Sequence, residues 1–248
     1  MIEIPWEQSF DTIRKYTLEE AYEVLDAIER DDRRALAEEL GDLLLQVVFH
    51  SQIAAEEGSF DFDAVATGVA DKMIRRHPHI FAAAKVDMSE GHRAVWEGFK
   101  AAERAAKGET SVLDGVAMAL PSMARALKLQ NRAARVGFDW PNLSEVLAKV
   151  DEELAEVRGE LAAPIPDPSR VNDEIGDLLF VAVNLARKTG VDPEQALRHA
   201  NQKFERRFRR VESLLAADGT APAQSTLAVM ESHWQQAKRE EREGAVDA

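Results

Sequence analysis

The sequence contains no cysteine among its 248 residues, so neither a disulfide framework nor a thiolate zinc site can form. Aromatic residues make up only 6% of the chain, with 13 glycines and 9 prolines, and this composition favours helices over strands. Apolar runs stay well short of the roughly 18 residues of a membrane span. The first ten residues lack a signal region. We therefore expect an all-α cytoplasmic protein with no membrane partner.

The sequence also has fewer basic than acidic residues. It contains 31 Lys and Arg and 45 Asp and Glu, which gives a formal net charge of -14. Binding to nucleic acid depends on clustered Lys and Arg, because much of the affinity comes from the release of counterions from phosphates. The charge therefore argues against nucleic acid as a partner. An anionic ligand has to be met by a local basic patch or by a metal ion.

Apolar residues recur at helical spacing through most of the chain. Helices are predicted at about 10–28, 34–57, 62–76, 89–106, 121–136, 144–161, 170–189, 193–215 and 226–243. His77-Pro78-His79 breaks the pattern, because the residue before a proline avoids the helical conformation. We expect an N-terminal helical domain at 1–107, a linker and connecting helix at 108–136, and a C-terminal catalytic helical domain at 137–248.

Both halves of the chain carry the same acidic pattern in the same order. The four acidic positions are Glu20, Glu23, Glu39 and Asp42 in the first half, and Glu153, Glu156, Glu174 and Asp177 in the second. Downstream, a second set of positions recurs as Lys72, Arg75, Arg76, Trp96 and Lys100, and then as Lys203, Arg206, Arg207, Trp234 and Lys238. One ancestral unit used twice explains this repetition better than chance.

The paired carboxylates lie three residues apart, so each pair projects from one helix face. A single pair of this kind is usually a solvated acidic edge, but two pairs in each of two halves favour an ion site. Like charges about 4 Å apart repel by roughly 4 kcal/mol at an effective dielectric near 20, and a cation relieves that repulsion. All-carboxylate ligation suits Mg²⁺, which completes its shell with water and substrate phosphates. The sequence therefore indicates a phosphorylated substrate.

A glycine sits inside the second acidic pair of both halves, at Gly41 and Gly176. Glycine in a helix costs up to about 1 kcal/mol relative to alanine. Its use at the same place twice predicts close approach by a backbone or a ligand.

Groups suited to a nucleotide follow in the second half. Lys203, Arg206 and Arg207 lie about one turn apart, and Trp234 with Lys238 offers a stacking plane beside an ammonium group. P-loop and Rossmann glycine patterns are both missing, and the six histidines lack zinc-site spacing. Ser and Thr have no recognisable His partner, so water is the expected nucleophile.

The doubled pattern of Glu-x-x-Glu, a spacer and Glu-x-x-Asp resembles the MazG family of nucleoside triphosphate pyrophosphohydrolases. The resemblance spans nearly the whole chain and includes TLEEAYEVLDAI, GDLLLQVVFHSQIAAEEGSFDF, RRHPHIF, GFDWP, EIGDLLF and ANQKFERRF. It implies two tandem all-α helical-bundle repeats, a homodimer, and Mg²⁺-dependent cleavage of nucleoside triphosphates to monophosphate and pyrophosphate. The start departs from the family, which usually has a longer leader ending in Cys-Pro-Trp-Asp where this chain nearly opens with Ile4-Pro5-Trp6-Glu7.

Carried over by position, the resemblance assigns roles to particular residues. The metal ligands and catalytic residues are Glu153, Glu156, Glu174 and Asp177. The nucleotide contacts are Lys149, Arg170, Lys203, Arg207, Trp234 and Lys238. The candidate second metal site is Glu20, Glu23, Glu39 and Asp42. Three polar positions of the second half, Lys149, Arg170 and Asn201, are Tyr16, Ala35 and Ala70 in the first, so we expect the second half to carry most of the activity.

Our hypothesis is that Mg²⁺ held by the second set of carboxylates neutralises the phosphates and positions water against the α phosphorus. Glu153 or Glu156 would help to deprotonate that water, while Lys203 and Arg207 stabilise the leaving pyrophosphate. Two alternatives remain open from the residues alone. One is a regulatory protein that binds nucleotide or metal without turnover, and the other is an acidic helical scaffold whose carboxylates are solvated.

Overall fold

The computed structural model describes residues 8–81 and 110–244, and within these ranges the chain forms helices and turns without a strand. The all-α prediction is therefore confirmed. The chain divides into two compact units, residues 1–103 and 104–248. The predicted helix at 89–106, with Trp96 and Lys100, and the opening segment 1–7 lie outside the described residues. None of the described helices is long and apolar enough to cross a membrane.

Among its described residues the first unit has four helices, and side-chain caps fix the starts of the first three. The four helices are α1 (Phe10–Glu29), α2 (Arg33–Glu56), α3 (Phe62–Arg76) and the short α4 (Pro78–Phe81). Ser9 and Thr12 form a reciprocal capping box at the start of α1, while Asp32 and Asp61 cap α2 and α3. Helices α1 and α2 pack closely against each other, and α3 packs against α2.

The interface between α1 and α2 combines small apolar residues with polar ones. Ile13, Ala27 and Ala54 are buried there. Near the end of α2, the Nε2 atom of His50 lies 2.8 Å from the Thr17 hydroxyl oxygen, and the His50 ring stacks on Phe10 with centroids 5.7 Å apart. These contacts between the start of α1 and the end of α2 show that the two helices run antiparallel.

The described residues of the second unit, 110–244, form five α-helices. They are α5 (Ser122–Arg135), α6 (Leu143–Leu161), α7 (Pro168–Lys188), α8 (Pro193–Ala217) and α9 (Leu227–Gly244). Asn142, Asp167 and Asp192 cap α6, α7 and α8, and proline occupies the first turn of both α7 and α8. Helix α6 packs on α7, α5 packs on α7 and α8, and α9 packs on α8. The buried apolar residues include Val146, Val157, Val181, Val183, Val211, Leu215 and Ala237.

Ion pairs tie both ends of the α6–α7 hairpin. Before α6 begins, Asp139 pairs with Arg187 and, at 2.7 Å, with Lys188, both in the last turn of α7. The hydrogen bond from Arg187, reinforced by the one from Lys188, lowers the pKa of Asp139 to about 2. At the other end, Glu160 in the last turn of α6 pairs with Arg170 near the start of α7. The antiparallel register of α6 and α7 is thus fixed outside the segment that carries the acidic residues.

The helix boundaries predicted from periodicity agree with the structure to within two residues for the helices that it describes. The predicted break at 77–79 is confirmed, since α3 ends at Arg76. The chain then forms one further helical turn at Pro78–Phe81, because proline is favourable at the first position of a helix. The domain boundaries at 107/108 and 136/137 stay predictions.

Candidate functional site

The second unit brings three of its four predicted carboxylates together. Glu153 and Glu156 on α6 and Glu174 on α7 each offer an oxygen, and these oxygens lie within 4.8 Å of one another. The antiparallel packing of the two helices places the pairs opposite each other. Asp177 is exposed, three residues further along α7, and does not belong to this group in the structure. We call Glu153, Glu156 and Glu174 the α6–α7 carboxylate cluster.

Glu153 is the buried member of the cluster, with 4% of its surface exposed. Its Oε1 atom lies 2.6 Å from Nζ of Lys149, which is also 2.8 Å from Glu152. The hydrogen bonds that Lys149 donates, first to Glu152 and then to Glu153, raise the pKa of Lys149. The Oε2 atom of Glu153 is buried and has no hydrogen-bond partner among the residues that the structure describes. A buried carboxylate oxygen without a partner is unfavourable, so this atom marks the place where a cation would be stabilised.

Glu156 shows the electrostatic effect of the cluster. Desolvation raises its pKa, and the negative charges of Glu153 and Glu174 raise it further. Such a raised pKa means that the ionised cluster is short of positive charge, although Lys149 supplies one. The cluster therefore favours binding of a proton or of a cation.

The first unit repeats the arrangement with Glu20, Glu23 and Glu39, whose oxygens also lie within 4.8 Å of one another. Desolvation, followed by the charge of Glu23, raises the pKa of both Glu20 and Glu39. Asp42 is exposed and stands outside this group, as Asp177 does in the second unit. The duplicated sequence pattern therefore corresponds to a duplicated cluster.

Gly41 and Gly176 do not serve a close approach within the described part of the chain. A Cβ atom placed on either glycine would meet no atom within 4 Å. The expectation of a nearby backbone is therefore wrong for the chain's own described residues. The space beside each glycine is open, which leaves a ligand as the remaining reason for its position.

The nucleotide contacts predicted on the last two helices form a second group. The Arg207 guanidinium carbon lies 5.8 Å from the centroid of the Trp234 ring, and the Phe204 ring lies 5.4 Å from it. Lys203 is exposed and Lys238 partly exposed. Neither lysine forms an ion pair with any residue that the structure describes, so both ammonium groups are available to an anion.

Lys149 is the predicted nucleotide contact that touches the α6–α7 carboxylate cluster. Arg170 is held by Glu160 at the connection between α6 and α7. Arg207 and Trp234 contact each other, as described above. Among the described residues, neither an ion pair nor a hydrogen bond joins the group on α8 and α9 to the carboxylate cluster. The roles of all these residues toward metal and nucleotide stay predictions.

The sequence analysis did not identify the acidic residues that pair with the arginines of α8. Arg207 donates through Nε to Glu241, and Arg210 pairs with Glu240. The partners lie about thirty residues apart on different helices, so no helical spacing rule connects them. A signal was nevertheless present, because α8 carries an arginine-rich run at 206–210 and α9 an acidic pair at 240–241.

Comparison with known proteins matches the two units separately. The MazG nucleotide pyrophosphohydrolase domain matches residues 8–81 and again residues 142–211. The chain is 51% identical over 239 residues to the nucleoside triphosphate pyrophosphohydrolase of Escherichia coli K12, covering 96% of this chain and 91% of that protein. It is 38% identical over 231 residues to the nucleoside triphosphate pyrophosphohydrolase/pyrophosphatase MazG of Thermotoga maritima, covering 93% and 87% of the two chains.

A third relative aligns with only part of the chain. The nucleoside triphosphate pyrophosphohydrolase of Mycobacterium tuberculosis is 43% identical over 138 residues, which cover 54% of this chain and 41% of that protein. The relatives confirm the prediction of a nucleoside triphosphate pyrophosphohydrolase, a hydrolase of acid anhydrides, and the two domain matches confirm the tandem helical repeat. The chain belongs to the MazG nucleotide pyrophosphohydrolase family.

Proposed function

We propose that the chain hydrolyses nucleoside triphosphates to nucleoside monophosphates and diphosphate, with water attacking the α phosphorus at the second unit. Family membership and the activity for which its relatives are named support the reaction class. The observation that carries the location is the buried, unpartnered Oε2 atom of Glu153, which lies in a cluster of three carboxylates. An acidic scaffold with solvated carboxylates would have no reason to bury that oxygen.

Mg²⁺ is the proposed cofactor, held by Glu153, Glu156 and Glu174, with Asp177 close by in sequence on α7. The donors fit, because all of them are carboxylate oxygens and the set contains neither nitrogen nor sulfur. When bound, the ion would supply charge neutralisation of the phosphates and activation of water. Glu20, Glu23 and Glu39, with Asp42, are the corresponding proposal for the first unit.

The chain's own residues have distinct parts in this proposal. Lys149 neutralises the buried Glu153, so the cluster can form before any ligand arrives. Glu153 or Glu156 accepts a proton from the attacking water. Lys203 and Arg207 stabilise charge on the leaving diphosphate. Arg170, Trp234 and Lys238 complete the contacts with the nucleotide.

A homodimer is the proposed assembly, and apolar residues beside the carboxylate cluster support it. On α7, Ile175 and Leu179 stand next to the acidic positions yet have 43% and 52% of their surfaces exposed. Phe180 is 42% exposed and Leu147 on α6 is 45% exposed. Large apolar side chains grouped in this way are typical of a protein–protein interface. Light scattering of the purified chain should give twice the mass of 27.6 kDa.

The deciding experiment follows the phosphorus products and the oxygen of water. Purified protein is incubated with a nucleoside triphosphate and Mg²⁺ in water enriched in oxygen-18, and the products are identified by phosphorus NMR. We expect nucleoside monophosphate and diphosphate, with the heavy oxygen in the monophosphate, because water attacks the α phosphorus. The variant Glu174→Gln with Asp177→Asn is the matched inactive control.

Four other outcomes would contradict the proposal. Heavy oxygen in the diphosphate would place the attack at the β phosphorus. Direct formation of nucleoside diphosphate and orthophosphate would mean a different reaction. Nucleotide binding without products would favour the regulatory protein, and absence of binding would favour the scaffold.

A further inference from the structure

One carboxylate on α9 holds two neighbouring guanidinium groups of α8. The Nε atom of Arg206 donates to Oε1 of Glu241 at 2.8 Å, and the Nε atom of Arg207 donates to Oε2 at 2.8 Å. Each oxygen of Glu241 thus serves a different arginine. Two adjacent cations repel each other, and a carboxylate between them removes much of that repulsion.

The hydrogen bond to Glu241 leaves the terminal nitrogens of the Arg207 guanidinium group available to a ligand. A guanidinium group has five N–H donors, and Glu241 takes the one on Nε, so the four on the two terminal nitrogens can still meet a phosphate. Arg207 is only 20% exposed, and its guanidinium carbon lies 5.8 Å from the Trp234 ring centroid. Glu241 and Trp234 therefore restrict the side chain from two directions.

Restriction of this kind matters for affinity. A flexible arginine loses rotamer freedom when it binds an anion, whereas an arginine already held in place loses less. The carboxylate of Glu241 also stays ionised across the working range, because hydrogen bonds from Arg206 and Arg207 lower its pKa. Its hold on the two guanidinium groups is therefore constant at neutral pH.

We propose that Glu241 is a positioning residue for substrate binding, which fixes the guanidinium group of Arg207 so that its terminal nitrogens receive the phosphates of a nucleoside triphosphate. This inference rests on the proposed function for the identity of the ligand. Glu241 itself does not touch the substrate. It acts through Arg207, and Arg206 occupies its second oxygen.

The neighbouring residue provides a matched control. Glu240 forms the same kind of contact with Arg210, at 2.7 Å between Nε and Oε2, and Arg210 is outside the predicted site. The variants Glu241→Gln and Glu240→Gln each remove one negative charge from the same helix. Because glutamine replaces one acceptor oxygen with an NH2 donor, Glu241→Gln cannot accept from both arginines in the observed arrangement.

The test measures affinity first and turnover second. Calorimetry with a non-hydrolysable nucleoside triphosphate analogue and Mg²⁺ should show about tenfold weaker binding for Glu241→Gln, a change of the size expected for a charged hydrogen bond. Glu240→Gln should stay within about twofold of the wild type. In steady-state assays Glu241→Gln should lower kcat/KM by at least the tenfold lost in binding, because Arg207 also stabilises the leaving diphosphate, whereas Glu240→Gln should stay within about twofold of the wild type.

A double-mutant cycle separates positioning from a general effect on the fold. In an Arg207→Lys background, which lacks the Nε donor, Glu241→Gln should weaken binding by less than about twofold more. If Glu241→Gln lowers the melting temperature more than Glu240→Gln does, Glu241→Asp decides instead. It keeps the charge but is too short to reach both arginines, so it should also weaken binding.

Equal losses in the two glutamine variants would overturn the proposal, as would a full tenfold loss in the Arg207→Lys background. Unchanged binding in both Glu241 variants would overturn it as well, and so would a wild-type protein that does not bind the analogue. A wild type that binds the analogue but releases no diphosphate would defeat the proposed reaction alone. The calorimetric comparison would then still decide the role of Glu241.

Discussion

The two units keep the same three-carboxylate arrangement but surround it differently. In the second unit Lys149 pairs with the buried Glu153, whereas Tyr16 stands at the corresponding position of the first unit. Arg170 of the second unit likewise corresponds to Ala35. The two units have thus kept the same carboxylates but differ in the cationic residues around them. Acidic residues at helical spacing are enough to build a candidate ion site, but a nucleotide needs the cations as well.

The interiors of the two hairpins also differ. Between α1 and α2 lie the hydrogen-bonded Thr17 and His50, and Gln46 is buried with an unpartnered side-chain oxygen. The corresponding positions of the second unit are Val150, Leu185 and Val181. A buried amide oxygen without a partner destabilises a fold, while valine at the same place does not. At these three positions the second unit is therefore the more apolar, although it buries the polar side chains of Gln130 and Asn184 elsewhere.

The largest expected effect comes from removing carboxylates in one unit at a time. Glu174→Gln with Asp177→Asn should reduce diphosphate release by about a thousandfold or more, because such groups act directly on the transition state. Glu39→Gln with Asp42→Asn should reduce it by less than about tenfold. Release is measured with a coupled pyrophosphatase assay. Equal losses, or a larger loss in the first unit, would show that the units are not specialised as we expect.

The second-largest expected effect comes from replacing two cationic residues of the second unit with the residues found at the corresponding positions of the first. Lys149→Tyr with Arg170→Ala should lower kcat/KM by two orders of magnitude or more, since each charged contact contributes about 1.5 to 3 kcal/mol. Arg158→Ala, at an exposed position on the opposite face of α6 and outside the predicted site, is the control and should change little. Retention of full activity by the double variant would mean that the missing cations do not explain the difference between the units.

Metal binding should stabilise the second unit more than the first. At one hundred times its dissociation constant, Mg²⁺ should add about 2.7 kcal/mol to the free energy of unfolding, provided that the unfolded chain does not bind it. Calorimetric melting with and without Mg²⁺ measures the gain. Glu174→Gln with Asp177→Asn should remove most of it, and Glu39→Gln with Asp42→Asn a smaller part. If millimolar Mg²⁺ does not change the melting temperature of the wild type, the carboxylates are solvated and do not bind the ion.

The tie at Asp139 gives a pH-dependent difference between the units. The pKa of Asp139 is lowered to about 2 in the folded chain, against about 3.9 in an unfolded one. Its stabilisation, about 2 kcal/mol, is therefore fully present above pH 4 and is lost as the pH falls from about 4 to 2. Denaturant unfolding of Asp139→Asn should show the loss already at neutral pH and no further loss from this group in acid.

A control for this tie is available in the first unit. Asp26 and Arg30 form an exposed pair at 2.7 Å, and Asp26→Asn should change stability by less than about 1 kcal/mol. The positions that correspond to Arg187 and Lys188 are Gln52 and Ile53, so the first unit lacks the tie itself. Identical acid profiles for wild type and Asp139→Asn would contradict the prediction.

The smallest effect concerns the paired glycines. Gly41→Ala and Gly176→Ala should each stabilise the fold by up to about 1 kcal/mol, because the space beside both glycines is open and alanine favours the helix. The two glycine variants are then compared by their rates of nucleotide hydrolysis. If a nucleotide passes close to Gly176, Gly176→Ala will reduce activity while Gly41→Ala will not. Full activity in both would leave no functional reason for either glycine.

Much of this structure follows from local sequence rules. Apolar spacing predicts the helix ends to within two residues, because it acts within one or two turns, and the structure adds side-chain caps at Ser9, Asp32, Asn142, Asp167 and Asp192 that the sequence analysis did not use. The duplicated acidic pattern likewise predicts the opposed carboxylate pairs. These are short-range features, and the family resemblance agrees with them.

Local sequence rules predict less of the candidate site than of the fold. The spacing of Glu174 and Asp177 predicts a shared face, yet only Glu174 joins the cluster, because rotamers and the partner helix decide which oxygens meet. Lys149 was expected to contact nucleotide, and its i, i+4 pairing with Glu153 shows a second role. The hold of Glu241 on Arg207 depends on how two helices cross, which a single sequence does not specify.

The ion pairs at both ends of the α6–α7 hairpin have a consequence for local opening. Helices ordinarily fray from their ends, where the fewest contacts are lost. In this hairpin Asp139 holds the end of α7 and Arg170 holds the end of α6, so fraying from either side must first break a tie. Amide hydrogens on both sides of the carboxylate cluster are therefore expected to exchange together, in one cooperative opening of the hairpin.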